Sequence, residues 1–283
     1  MVEAYIKSFI HSVWGSRDEN MFPGPHPISL ERSHHDLLSK QPYVVCEKTD
    51  GIRYLLVCTT FENRKYCVLV NRAFQVRYTR LAIPRDTIID GELVDSTFHI
   101  YDGVLVSGEN IMQLNLIERL KKIEKVTHGP TMGTKLKMKK MWSLKDFASL
   151  VDVTEHNNDI DGYIFTPVYE PVRLETHESL VKWKPVERIT VDFLCKNGGL
   201  YIWDRSHGYM KIQNTHEEYQ DKILECKRVN GVWTLVKIRE DKTYPNNRRT
   251  YMRTLVNIRE SISLNELKIF IANITNGNHE VIL

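Results

Sequence analysis

From Tyr43 to Val106 the chain is dense in β-branched and aromatic residues, interrupted only by short polar inserts, so its first half must be built mainly of strands. Alternation or unbroken apolar content marks strands at 43–47, 52–59, 66–71, 74–78, 87–94 and 97–106, and again at 161–166 and 179–184. Helical spacing is kept to the flanks. Val2, Ile6, Phe9, Ile10, Val13 and Trp14 line one face of a helix over 1–14, and 114–126 repeats the pattern. Ser33 with Asp36, and Ser143 with Asp146, have the spacing of capping boxes before short helices. The proline-rich "MFPGPHPISL" (21–30) reads as an extended segment.

After Pro185 the texture changes. Short strands alternate with the turn signals Asn197-Gly198-Gly199, Asp204-Arg205-Ser206 and Asn230-Gly231, which suits a small β-barrel, an OB-fold being one option. A boundary near 186–190 divides the chain into domains 1–187 and 188–283, and the tail over 260–274 reads as a helix capped by Ser263.

The chain has 283 residues, 42% hydrophobic and 27% charged, with a net charge of only +3, a composition that fits a globular protein. Local charge is less even. Residues 121–145 hold eight lysines against Glu124 alone, and 237–259 hold seven Lys or Arg against two acids. Such runs suit polyanions, and equally a solvated face. Five cysteines without a C-x-x-C pair argue against a disulfide framework or zinc site and for a reducing compartment. Lys7 and His11 interrupt the N-terminal apolar residues, so no signal peptide is expected. No apolar run is long enough to span a membrane, and the expected setting is intracellular, cytoplasmic over nuclear.

Charges near a core are costly unless they are paired or used. The stretch "VVCEKTDGIRYLLV" (44–57) sets Lys48, Asp50 and Arg53 between two apolar runs. Taken alone, Lys48-x-Asp50-Gly51-x-Arg53 is as well explained by a charged hairpin turn. It is joined, in order, by Asp90-Gly91-Glu92, Tyr101-Asp102-Gly103, Asp161-Gly162, Lys182-Trp183-Lys184-Pro185 and Arg239-Glu240-Asp241-Lys242. Six such elements in this order are hard to assign to turns.

Over about residues 22–261 the set closely resembles the covalent nucleotidyltransferases, the superfamily of mRNA-capping guanylyltransferases and DNA and RNA ligases. "FPGPHPISLER", "LVKWKP" and "REDKTYPN" resemble the capping enzymes within it, and the compact lobes resemble guanylyltransferase domains of large DNA viruses. The resemblance implies an α+β fold: a nucleotidyltransferase domain of ATP-grasp-like antiparallel sheets with flanking helices, plus a C-terminal OB-fold barrel. It implies that Lys48 takes GMP from GTP as a phosphoramidate, then passes it to the 5′-diphosphate end of RNA to give GpppN. Arg239, Asp241 and Lys242 would orient the pyrophosphate. Arg53 and Arg72 would meet the ribose, Tyr101 would stack on the purine, and Lys139, with Lys137 and Lys140 as rivals, would read guanine. Lys182 and Lys184 would add positive charge at the nucleotide. Glu92, Asp161 and Asp192 match the acidic positions that hold Mg2+ (or Mn2+), with Glu92 also at the nucleotide.

An RNA triphosphatase and a guanine-N7 methyltransferase complete such a system. Neither a glycine-rich methyltransferase segment nor a run of alternating glutamates is present in the sequence, so both are expected as partner modules, in the same polypeptide or as subunits. An ATP-dependent polynucleotide ligase acting through lysyl-AMP is the alternative enzyme, and a non-catalytic RNA-binding or scaffold module the alternative class. His34, His35 and His177 lack metal-ligand spacing, Cys46 reads as strand core, and Trp14, Trp203 and Trp233 read as core residues.

Overall fold

The computed structural model describes residues 1–129, 133–154, 157, 160–215 and 218–275. The described chain divides into two compact units: Met1–Ile28, Asp36–Lys182 and residues 270–275 form the first, Ser29–His35 and Trp183–Ile269 the second. The change from first to second at 182/183 lies five residues before the sequence boundary at 187/188, and the second unit takes in a short segment from near the N-terminus.

Elements run in the order α1 (Val2–Trp14), β1 (His26–Ser29), α2 (His35–Lys40), β2 (Tyr43–Thr49), β3 (Ile52–Phe61), β4 (Arg64–Asn71), β5 (Val76–Tyr78), β6 (Thr87–Val94), β7 (Thr97–Val106) and β8 (Glu109–Asn110). Then come α3 (Leu116–Val126), β9 (Lys135–Met138), β10 (Trp142–Ser143), α4 (Phe147–Thr154), β11 (Ile160–Pro167) and β12 (Thr176–Trp183). In the second unit lie β13 (Thr190–Lys196), β14 (Gly199–Asp204), β15 (Gly208–Asn214), β16 (Lys222–Val229), β17 (Val232–Ile238) and α5 (Arg248–Glu260); α6 (Leu264–Thr275) ends the described chain.

The first unit carries two sheets. The larger has the order β5-β4-β3-β6-β7-β8, with β9 added parallel to β7; the smaller has the order β1-β12-β11-β2-β10. Both faces of the larger sheet are covered. Ile6, Ile10 and Trp14 of α1 pack on Leu55, Val57, Val68, Val70 and Ile88, while Ile123 of α3 packs with Leu56, Leu69, Ile89 and Phe98 on the other side. Two-sided burial explains why these strands read as unbroken apolar runs. Asn115 caps α3 by accepting from the Glu118 N–H, and the Glu118 side chain answers to the Asn115 N–H, a full capping box.

The box expected at Ser33 and Asp36 is made instead by Glu31 and His34, around the 3-10 turn Arg32–His34. At Ser143 the hydroxyl accepts from Lys145 N–H and opens the turn before α4. The tail helix begins beyond Ser263, whose hydroxyl accepts from Glu266 N–H.

In the second unit the five strands run antiparallel in the order β15-β14-β13-β16-β17, with the first strand in the middle. The expected barrel is not closed by a backbone ladder among the described residues. A side chain joins the edges: the Gln213 carboxamide of β15 donates to Trp233 O at 2.8 Å and accepts from Trp233 N–H at 2.7 Å on β17. Val191, Phe193, Leu200, Ile202, Leu224 and Trp233 fill the interior, with Tyr251, Leu255 and Ile258 of α5 against them.

Candidate active site

The charged insert is not a hairpin turn. β2 ends at Thr49 in the smaller sheet and β3 begins at Ile52 in the larger, so Asp50-Gly51 carries the chain from one sheet to the other. Close approach makes Gly51 necessary: a Cβ there would lie 2.6 Å from Leu93 O and 2.8 Å from Glu92 Cγ. Lys48 and Thr49 therefore end one sheet beside Arg53 at the start of the other, and Asp50 is exposed at the link.

Lys48 Nζ meets Asp161 Oδ1 at 2.8 Å, with the lysine side chain 21% exposed. A β-bulge aims the carboxylate. On β11, Ile160 pairs with Thr49 and Gly162 with Lys48, leaving Asp161 as the extra residue between them. Cys46, two residues before Lys48, is buried as expected, and burial pushes its thiol up to about 11.

One face of the larger sheet changes character along its length. Val57 and Leu55 of β3, and Ile88 of β6, are apolar beneath α1. Further along the same faces stand Arg53, Asp90 and Glu92, with Leu55 opposite Asp90 and Arg53 opposite Glu92. Arg53 Nε donates to Asp90 Oδ1 at 2.9 Å, Nη2 donates to Asp90 Oδ2, and Nη1 donates to Pro25 O at 2.6 Å. The guanidinium also lies 5.1 Å from the Phe22 ring centroid. The proline-rich segment thus braces the arginine. Burial works against the Arg53 charge, and Asp90 with Tyr101 overrides it, holding the group above its ordinary range.

Tyr101 is a second bulged residue. Asp90 pairs with Asp102 and Gly91 with Ile100, so Tyr101 has no register partner. Its hydroxyl donates to Asp90 Oδ1 at 2.8 Å, and burial first, then Asp90 and Glu92, push its pKa well up. Behind it, Arg119 of α3 grips Asp102 with two bonds of 2.7 and 2.8 Å and so fixes the strand next to the bulge.

Of the three rival lysines, Lys139 is the buried one. Its Nζ donates to Glu47 O at 2.9 Å and Thr49 Oγ1 at 3.0 Å, lies 3.7 Å from Glu92 Oε2, and sits 6.0 Å from the Tyr101 ring centroid. Thr49 in turn donates to Glu92 Oε2. Lys137 is exposed on β9, and Lys140 is exposed with its Nζ 3.4 Å over the Trp142 ring. Sequence reasoning passed over Thr49 and Asp90. Each sat inside a quoted motif, and only the paired strands show that both face charged partners.

Arg72 follows Asn71, which pairs with Tyr54, so Arg72 and Arg53 leave neighbouring strands at one end of the sheet. Lys182 alternates on β12 with buried Val181 and Trp183, and Lys184 follows the end of the strand. Lys182 belongs to the first unit and Lys184 to the second.

The second unit holds its own charge cluster. Arg239 Nε and Nη2 donate to Asp241 at 2.8 and 2.7 Å, and Nη1 donates to Asp192 Oδ1 at 3.1 Å. Lys242 also donates to Asp192. Asp192, expected with Glu92 and Asp161 as a metal ligand, thus has its carboxylate engaged by two cations in the other unit. Among the described residues no three His, Cys, Asp or Glu side chains form a metal-holding group. Magnesium often takes only one or two carboxylates, completing its shell with water and substrate oxygens, and Asp161 and Glu92, beside the consecutive Lys48 and Thr49, fit that requirement.

Residues 2–186 match the family "mRNA capping enzyme, catalytic domain", and residues 171–268 match "mRNA capping enzyme, C-terminal domain". An mRNA-capping enzyme of Danio rerio is 27% identical over 87% of this chain and 49% of its own length. An mRNA-capping enzyme subunit alpha of Schizosaccharomyces pombe is 26% identical over 93% of this chain and 82% of its own. The chain thus spans about half the length of the Danio rerio relative. A solved mycobacterial DNA ligase D complexed with ATP and MES is 14% identical, with a TM-score of 0.40, over 86% of this chain and 77% of that one.

Proposed function

Because the chain belongs to the mRNA capping enzyme family, we propose that it is a guanylyltransferase that carries GMP on Lys48. The observation that carries the reading is the Lys48–Asp161 pair at the end of β2, one residue from the Thr49–Lys139–Glu92 cluster. A lysine amine attacks phosphorus only when it is unprotonated. Asp161 Oδ1 stands within hydrogen-bond reach of the proton that Nζ must shed.

Nζ would attack the α-phosphorus of GTP in line. A P–N bond forms, the bond to the bridging oxygen breaks, and pyrophosphate leaves with that oxygen's electron pair. Arg239 and Lys242 offer the donors that a departing pyrophosphate needs, with Asp241 fixing the guanidinium plane. Arg53, with Arg72 at the same sheet end, would take the ribose, and the Tyr101 ring the purine face. Lys139 would present a donor to the base edge. Lys182 and Lys184 would add positive charge around the phosphates. A divalent cation held by Asp161 or Glu92 would supply Lewis-acid stabilisation of phosphate charge.

In the second half-reaction a terminal phosphate oxygen of 5′-diphosphate RNA would attack the lysyl-GMP phosphorus. The P–N bond would break, Lys48 would regain its proton, and GpppN would form. RNA triphosphatase and guanine-N7 methyltransferase modules are the partners this reaction calls for, and the name "subunit alpha" borne by the S. pombe relative is that of a protein with a partner. The buried free cysteines favour a reducing, cytoplasmic setting. Among the described residues no helix is long and apolar enough to cross a membrane.

The test is to incubate the protein with α-labelled GTP or ATP and magnesium, with Lys48→Ala in parallel, and run a denaturing gel. A label from GTP alone, acid-labile and absent from Lys48→Ala, is the expected result. A label from ATP would move the chain to the ligases. No label from either would remove both enzymatic readings.

A further inference from the structure

The outer face of β14 and β15 carries an aromatic cluster that the guanylyl-transfer chemistry does not use. Trp203, expected in the core, is 41% exposed, and its register partner Tyr209 is 43% exposed. Their rings meet edge to face, with centroids 5.0 Å apart and planes at 72°. The next register pair on the same face is Tyr201 with Lys211, and the two side chains lie together over Gly199. Buried Leu200 and Ile202 point the other way, into the barrel. The aromatics are therefore not needed to build the core of this unit.

The charge beside them is lopsided. Arg205 is exposed in the β14–β15 turn, and Lys211 is exposed on β15. Trp203 bridges to Asn247, the cap of α5, which brings Arg248 and Arg249 of the first turn alongside. Against these four cations stands Asp204, whose carboxylate is already engaged by His207, the Ser206 N–H and Arg248. Arg248 and Arg249 belong to the basic run at 237–259. Trp203 N–H also donates to Asn246 O, and Asn246 N–H to Asp192 O, so the platform is continuous with the Arg239–Asp192–Lys242 cluster.

Exposed rings among basic side chains are what a single-stranded nucleic acid needs, with bases on the π-faces and phosphates on the cations. We propose that Trp203 and Tyr209, with Lys211, Arg205 and Arg248, form a stacking platform for the single-stranded 5′ segment of the acceptor RNA. This rests on the guanylyltransferase reading for the identity of the nucleic acid. Bases just downstream of the RNA end would lie on the rings, while the phosphates point toward the Arg239 and Lys242 side of the face.

The experiment uses the full chain and a fluorescein-labelled, 5′-diphosphate single-stranded RNA of ten nucleotides, followed by anisotropy at fixed salt. Trp203→Ala and Tyr209→Ala should each weaken binding by about tenfold, as loss of one base–aromatic stack does. Trp203→Phe should recover most of the loss, because the π-face returns. Labelling of Lys48 from GTP should be unchanged in all three. Unchanged RNA affinity in both alanine variants overturns the proposal. So does a change in oligomeric state on gel filtration with RNA affinity intact, which would give the face to a second copy of the chain. Absence of lysyl-GMP in the unsubstituted protein would strike the reaction instead, and the platform would still stand or fall on the anisotropy.

Discussion

The Tyr101 hydroxyl and the Arg53 guanidinium meet on one oxygen, Oδ1 of Asp90, at 2.8 and 2.9 Å. The ring proposed to stack on the purine and the cation proposed to hold the ribose are therefore one mechanical unit. Tyr101→Phe keeps the stacking face and removes the shared bond. Hydrogen bonds to charged groups contribute roughly 1.5–3 kcal/mol, and the Pro25 and Phe22 contacts retain part of the arginine's position. Single-turnover lysyl-GMP formation should fall about tenfold in kcat/KM, and Asp90→Asn should fall further. A Tyr101→Phe enzyme with unchanged kinetics would show that Arg53 needs no help from the ring.

Lys139, not Lys137 or Lys140, should set the choice of base. It alone of the three is buried against Thr49, Glu47 and Glu92. Lys139→Met keeps much of the stem and removes the donor. The ratio of labelling from GTP to labelling from ATP should drop by about tenfold or more, as loss of a buried polar contact to a substrate does. Lys137→Met and Lys140→Met should leave the ratio where it was. Equal effects from all three would place the base elsewhere.

The Asp192 cluster predicts an acid limb in stability. Burial alone would raise the Asp192 pKa, and Lys242 with Arg239 overrides burial and lowers it below the ordinary 3.8. A carboxylate with a lowered folded value contributes stability that is fully present above its unfolded value. That contribution is lost as pH falls through the folded one. Urea unfolding should thus show no loss from this group between pH 7 and 5 and a decline below about pH 4. Asp192→Asn should remove the group's share of that decline and cost about 3 kcal/mol at neutral pH, since it takes the Asp192 charge from Lys242 and leaves Arg239 to Asp241 and Glu225. A variant as stable as the parent at pH 7 would contradict the assignment.

Gln213 ties β15 to β17 through both polar groups of the Trp233 backbone. Gln213→Leu leaves that N–H and C=O without the amide. The second unit should lose about 2 kcal/mol, and the Trp233 amide should exchange faster with deuterium. Protection equal to the parent's would mean that the edges are held by other contacts.

The long strands of the larger sheet were legible because burial on both faces writes β-branched residues in unbroken runs, and α1 because Ile6, Ile10 and Trp14 share one face; the short β8, β9 and β10 carry no such run. Three features were not. Asp50-Gly51 reads as a hairpin in any local window, and only the partners of β2 and β3 reveal two sheets. The helix Arg248–Glu260 is arginine-rich and polar, so its few apolar contacts, Tyr251, Leu255 and Ile258, give little signal until the barrel lies beneath them. Trp203 looked like core because tryptophan usually is, yet alternation with Ile202 turns it outward. The choice of Lys139 over its neighbours depends on tertiary burial.

Alternation along a strand behaves like a reading frame, and the bulges at Asp161 and Tyr101 are frameshifts. Asp161 on β11 and Tyr101 on β7 stand at points where the frame slips, and β7 slips once more at Val104, between the pairs Ile88–Leu105 and Ile89–Gly103. Deleting Asp161 would let Ile160 and Gly162 follow Thr49 and Lys48 without interruption, giving a more regular ladder and no carboxylate at Lys48. In these two strands, regularity of the sheet and possession of the site pull in opposite directions, and each site residue exists because one unit of pairing was given up.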